Sequence, residues 1–311
     1  MENKIKKINF NHSFIFFIFC NILSLIIFKF NDLIISPLIC LMLILLIGVS
    51  HGSLDHIKGR KILNILKFEN IIFFYLTYIS IATIIIIFWI LFPSFSLILF
   101  LIVASFHFGK EDTQFLLNEK SYINQFLFFL KGTLIILSPL YFHFNETVSI
   151  FKLLLIENES FYKNLSIIET SKILQIGIIL STLSSIFLFV KNFEIKKFTI
   201  FFDYFSIIIL NYYFSPLIAF TMYFCFLHSI RHSITLIFEL NENDLRSGFK
   251  EFVKKATPLT SLTAMFCIIS IYLLSNSYDL DSSILKIIFI GLASLTFPHI
   301  LLEYFLEKNE K

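Results

Sequence analysis

Apolar stretches long enough to cross a bilayer follow one another along this chain, separated by short polar breaks, and the pattern predicts a bundle of membrane helices. A helix needs about 20 apolar residues to span a hydrocarbon core of about 30 Å. Ten such runs are read, at about residues 13–30, 33–50, 70–92, 94–110, 123–143, 171–190, 198–214, 216–239, 257–275 and 284–306, with ends good to about four residues. The breaks have local causes: Asn31 and Asp32 after the first run, Pro93 between the third and fourth, Ser215 and Pro216 between the seventh and eighth. Residues 148–156 read as a short helix lying at the membrane surface.

Composition agrees with the pattern. At 57% hydrophobic and 15% charged residues, with a mean hydropathy of +0.83, a 311-residue chain does not read as a soluble domain. The expectation is one integral-membrane domain over residues 1–311, all-α, a polytopic transmembrane helix bundle of about ten spans. The basic, then apolar, opening MENKIKKINFNHSFIFFIFC lacks a small-residue cleavage pattern and reads as a retained first helix. Forty-two phenylalanines fit either a biased composition or a tunnel for a long apolar substrate, and composition does not choose between them. Cys20, Cys40, Cys225 and Cys267 sit in apolar runs without paired spacing and read as reduced thiols. A net charge of +3, scattered between spans, excludes a nucleic-acid binder.

Loop charges set an orientation, because Lys- and Arg-rich loops stay cytoplasmic. Lys4, Lys6 and Lys7 precede the first run; Lys58, Arg60, Lys61 and Lys67 follow the second; Lys191, Lys196 and Lys197 follow the sixth; Arg246, Lys250, Lys254 and Lys255 follow the eighth. With ten spans all of these are inside, both termini are cytoplasmic, and the acidic segments around Glu146–Glu169 and Asp279–Asp281 are outside. The expected location is the cell membrane, multi-pass.

That orientation sorts the eight histidines. His51, His107, His228, His232 and His299 fall in the cytoplasmic half of the bilayer, whereas His143 lies at the opposite face and His12 precedes the first run. His228 and His232, four residues apart, share one helix face. Ionisable side chains in hydrocarbon are expensive and need partners, so histidines gathered at one depth point to a metal site. An imidazole set without thiolate suits Fe(II), Cu, Ni or Zn, and four such ligands leave room for a further one. His51 and His56 point away from each other on a continuous helix, so one of the pair is a ligand; His51, nearer the others in depth, is preferred. Asp55, four residues after His51, is positioned to fix that ring's tautomer. Glu111 and Asp112 follow His107 as candidate supports, and His299 is a further polar group in the cavity. Arg231 needs a buried partner, with Asp203 and Glu303 as candidates.

Four ordered motifs, GVSHGSLDH, HFGKED, HSIRH and PHILLE, resemble those of the Brp/Blh family of membrane beta-carotene 15,15'-dioxygenases over most of the chain. Ser50 stands where that family's proline is expected. The resemblance implies Fe(II) held by His51, His107, His228 and His232, and cleavage of the central double bond of beta-carotene by O2 into two molecules of retinal. It further implies functional coupling to a retinal-binding rhodopsin. Competing readings are a membrane di-iron hydroxylase or ketolase, which typically needs about eight clustered histidines including an HxxHH motif; a metal or proton transporter; and a carotenoid-binding accessory protein.

Overall fold

The computed structural model describes residues 2–30, 35–117 and 121–309, and no strand occurs among them. The helices are α1 (Glu2–Phe30), α2 (Pro37–Leu43), α3 (Asp55–Ile65), α4 (Ile72–Leu91), α5 (Pro93–Glu111), α6 (Tyr122–Phe142), α7 (Phe144–Leu153), α8 (Glu159–Thr170), α9 (Ile173–Val190), α10 (Phe198–Tyr213), α11 (Pro216–Met222), α12 (Ile230–Leu240), α13 (Leu245–Leu274) and α14 (Leu280–Asn309). Among the described residues seven helices are long and apolar enough to cross a membrane, or eight if the bent pair Pro37–Gly48 and Gly52–Ile65 counts as one span. The seventh run forms the 16-residue α10, and the eighth is interrupted by a π-helical segment, Tyr223–Ser229, between α11 and α12. The Asn31–Asp32 break lies outside the described residues, whereas Pro93 and Pro216 each open a helix, where a missing N–H costs nothing.

Apolar side chains face outward as well as inward. The Ile72–Leu91 window is only 6% buried, although its sequence is almost wholly apolar. A soluble protein rarely exposes so continuous an apolar face, so this face belongs against lipid. Cys20, Cys40 and Cys225 are buried and Cys267 half-buried, all as free thiols.

Helix contacts inside the bundle use small residues and backbone carbonyls, as expected where lipid removes the hydrophobic drive for helix association. α5 crosses α6 at Gly109 and Gly132, so closely that a Cβ on either would stand 1.8 Å from a carbonyl oxygen of the other helix. α9 is fastened to α6 by Ser181 and Ser184, whose hydroxyls donate to the carbonyls of Lys131 (3.1 Å) and Leu127 (2.7 Å). Phe14 and Phe17 of α1 pack on Phe202 of α10 with ring centroids 5.3 and 5.6 Å apart. Trp89 is fully buried and donates to the Leu154 carbonyl at 3.0 Å. The short helix expected over 148–156 corresponds to α7, which begins earlier at Phe144 and ends at Leu153, and a second short helix, α8, follows it. Asn158 caps α8 by accepting from the Phe161 N–H.

Two departures from regular helix set up the functional region. α2 widens into a π-helical segment, Ile44–Gly48, and a 3₁₀ turn, Gly52–Leu54, follows His51. The other π segment, Tyr223–Ser229, packs against the first: Ser229 donates to the Gly48 carbonyl, and a Cβ on Gly48 would collide with Phe224. π turns are uncommon and concentrate at functional sites. Here each one leads directly into a histidine-bearing turn.

Candidate metal centre

His51, His107, His228, His232 and His299, drawn from four separate stretches of turn or helix, converge on one point in the bundle. All five side chains are buried. Ring centroids close a four-membered circuit: His51 to His228 is 5.6 Å, His228 to His107 5.2 Å, His107 to His299 5.5 Å, and His299 to His51 5.6 Å. His232 joins on one side, 5.1 Å from His51 and 5.8 Å from His299. His299 therefore stands in the circuit itself rather than at its margin. His12 and His143 lie apart, His12 against the Phe226 carbonyl and His143 beside Glu146. His56 turns to the Ser53 carbonyl at 2.9 Å.

Carboxylates fix three of these rings through Nδ1. His299 Nδ1 lies 2.9 Å from both Asp55 oxygens, His228 Nδ1 3.2 Å from Asp112 Oδ1, and His232 Nδ1 3.4 Å from Glu111 Oε2. A carboxylate only accepts, so the proton sits on Nδ1 and the lone pair on Nε2. The Nε2 atoms of His228, His232 and His299, and Nδ1 of His51, are buried without a hydrogen-bond partner. Each unsatisfied buried polar atom costs about 1–3 kcal/mol, which four adjacent atoms recover together if they coordinate a cation. Two groupings bring single ligand atoms within 4.8 Å of one another: His107, His299 and Glu303, and Glu111, His232 and Glu303.

The expectation that Asp55 would orient His51 is corrected: Asp55 serves His299 and also accepts from the Tyr78 hydroxyl at 3.0 Å. Four residues of α-helix turn by about 40° past a full circle, but about 120° in a 3₁₀ turn. Because Gly52–Leu54 is 3₁₀, Asp55 is carried off the face of His51. Asp203, not Glu303, partners Arg231: the guanidinium makes two 2.8 Å bonds to the Asp203 carboxylate and a 2.6 Å bond to Ser13. Glu303 instead accepts from Lys58 at 2.8 Å and stands 3.7 Å from His299 Nε2. Asp112 is held from the other side by the Tyr223 hydroxyl at 2.6 Å. Tyr78 and Tyr223 were not singled out from sequence, where nothing distinguishes them from the other ten tyrosines.

A cavity of about 270 Å³ opens from His51, His107 and His299 toward the side of the bundle. Its walls include Phe74, Phe108, Phe224 and Phe266, four of the forty-two phenylalanines. Ile79 of α4 and Leu262 and Phe266 of α13 line it and are also exposed, which makes the gap between these two helices its mouth. A smaller apolar chamber of about 80 Å³ lies on the other side of Phe108, whose ring is 4.8 Å from that of His228.

Helical bundle, apolar exterior and a buried imidazole cluster beside an apolar side cavity define the class: a helical membrane protein with histidines gathered in its interior. Residues 42–307 match the family model described as beta-carotene 15,15'-dioxygenase, and the chain belongs to that family. It is 29% identical over 264 residues to a beta-carotene 15,15'-dioxygenase of an uncultured marine bacterium, 66A03, an alignment covering 84% of this chain and 90% of that one. No solved structure matches the chain.

Proposed function

We propose that this chain is an iron-dependent dioxygenase that splits the central 15,15' double bond of beta-carotene with O2, giving two molecules of all-trans-retinal. The observation that carries the reading is the set of four buried, unpartnered ring nitrogens on His51, His228, His232 and His299. His51, His107, His228 and His232 are the proposed ligands, and His299 joins them, since its Nε2 is likewise free and its ring lies in the same circuit. An imidazole-rich set suits Fe(II), which when bound supplies the reactivity toward O2.

The protein's own contribution is to bind, orient and exclude water. The side cavity meets the bilayer between α4 and α13, so a polyene dissolved in lipid reaches the cluster without crossing water. Cleavage at the centre requires the polyene's midpoint to lie at the histidines, and the side cavity brings an apolar ligand against His51, His107 and His299. Asp55, Asp112 and Glu111 hold the ring tautomers. Retinal leaving by the same mouth enters the bilayer, where a membrane rhodopsin would collect it. Both termini on the cytoplasmic face fits the ion pairs at one end of the bundle, where α1 meets Glu194 through Lys6 and α14 meets Lys110 through Glu307.

The test is expression in a beta-carotene-accumulating bacterium. Colour loss with retinal formation is expected, abolished by His228→Ala and by chelation, and retained in His143→Ala. Persistent pigment in cells holding the folded, iron-loaded protein overturns the proposal.

A further inference from the structure

Two cavities reach the histidine cluster, and they differ in chemistry. The apolar one meets His51, His107 and His299 from the side. The other, about 490 Å³, meets His232 from the end of the bundle, among α3, α5, α12 and the last turns of α14. Glu239 and Glu242 stand exposed at its mouth, and Glu111 and Glu303 line its inner end. Its cations are largely engaged: Lys58 with Glu303 and Arg231 with Asp203, while Lys61 stands at the exposed rim. At the inner end, His232 Nδ1 is 3.4 Å from Glu111 Oε2 and His232 Nε2 is 3.8 Å from Glu303 Oε1. His232 is 8% exposed, and its Nε2 has no hydrogen-bond partner.

The geometry points to a transfer site for a divalent cation at Glu111, His232 and Glu303, through which the metal enters the histidine cluster by this polar vestibule while carotenoid uses the apolar cavity. The inference rests on the proposed metal reading and adds the route. A hydrated dication cannot pass the apolar mouth without shedding its water against hydrocarbon, a cost of many kcal/mol. In the vestibule it exchanges water for carboxylate oxygen and imidazole nitrogen one at a time. Glu303 belongs to both groupings of ligand atoms, with Glu111 and His232 on one side and with His107 and His299 on the other. The ion therefore moves inward without losing that carboxylate. Lys58, bonded to Glu303, supplies the counter-charge that an arriving dication replaces.

The experiment follows Co²⁺ uptake by metal-stripped, detergent-purified full-length protein, by stopped-flow visible absorption, with final metal content measured by mass spectrometry. Wild type should load more slowly as salt rises. The exposed pair Glu239→Gln with Glu242→Gln should load about tenfold more slowly to an unchanged end point, the lower end of what electrostatic focusing supplies, and Glu111→Gln should also load more slowly, with a lower end point because it releases His232 Nδ1 as well. Thr263→Trp, which narrows the apolar mouth, should load at the wild-type rate. Wild-type rates in both glutamate variants, salt-independent loading, or slowing by Thr263→Trp alone overturns the route. A reduced end point at an unchanged rate in Glu111→Gln makes that residue a resident ligand and overturns the transfer role. No uptake by wild type overturns the metal reading itself, and His107→Ala, expected to reduce the end point, separates that result from a failed route.

Discussion

Gly132→Ala should disable the protein although it touches no histidine. A Cβ at this position would stand 1.8 Å from the Ser105 carbonyl oxygen and 2.9 Å from the Gly109 nitrogen. Both obstacles are backbone, so no rotamer change relieves them. Restoring ordinary contact means parting α5 from α6 by about 1.6 Å, and overpacking on that scale costs about 1–3 kcal/mol. α5 carries His107 and Glu111, and Asp112, which caps its C-terminus, in turn holds His228. Misplacing reacting groups by about 1 Å costs about 100-fold in rate, so turnover should fall by at least that factor. Alanine favours helix over glycine by about 1 kcal/mol, so propensity works against the expected loss and cannot produce it. The assay is retinal formation by purified protein, with bound metal and thermal unfolding measured in the same detergent. Gly291→Ala is the control, because nothing lies within 4 Å of its Cβ, and it should be neutral or slightly stabilising. Gly132→Ala with wild-type melting, metal content and turnover would refute the reasoning.

Asp55→Asn should weaken metal binding about 10- to 100-fold by releasing His299, whereas Tyr78→Phe, which leaves the carboxylate in place, should do less; metal-competition titration separates the two. Asp203→Asn should destabilise the fold by about 3 kcal/mol, the low end for a broken buried pair, because it removes the carboxylate that takes two guanidinium bonds and leaves Arg231 only the Asp112 carboxylate, 3.5 Å away; thermal unfolding reads this directly. Replacing Arg231 and Asp203 together by apolar residues of similar volume should cost much less than either single change. Thr263→Trp should raise KM for beta-carotene with little change in kcat or metal content, and an unchanged KM would place the substrate entrance elsewhere.

The helices were legible in sequence because hydrocarbon leaves backbone groups no partner outside the segment, so each long apolar run must satisfy itself as a helix. Pro93 and Pro216 marked helix starts for an equally local reason. The gathering of His51, His107, His228 and His232 was legible too, because buried imidazoles at one depth need one another. Which carboxylate serves which ring was decided only by the tertiary structure. The sequence offered Asp55 to its neighbour His51, but a 3₁₀ turn rotates it to His299, 244 positions away. Arg231 had two acidic candidates, and the choice of Asp203 depends on how α10 and α12 both pack on α1, whose Ser13 bonds the same guanidinium. Likewise His299 stood as one polar residue in an apolar run until α14 carried its ring into the circuit. Apolar periodicity and charge act along the chain and can be read there; hydrogen-bond pairing acts across it, through rotations of a few tens of degrees that only the packed helices fix.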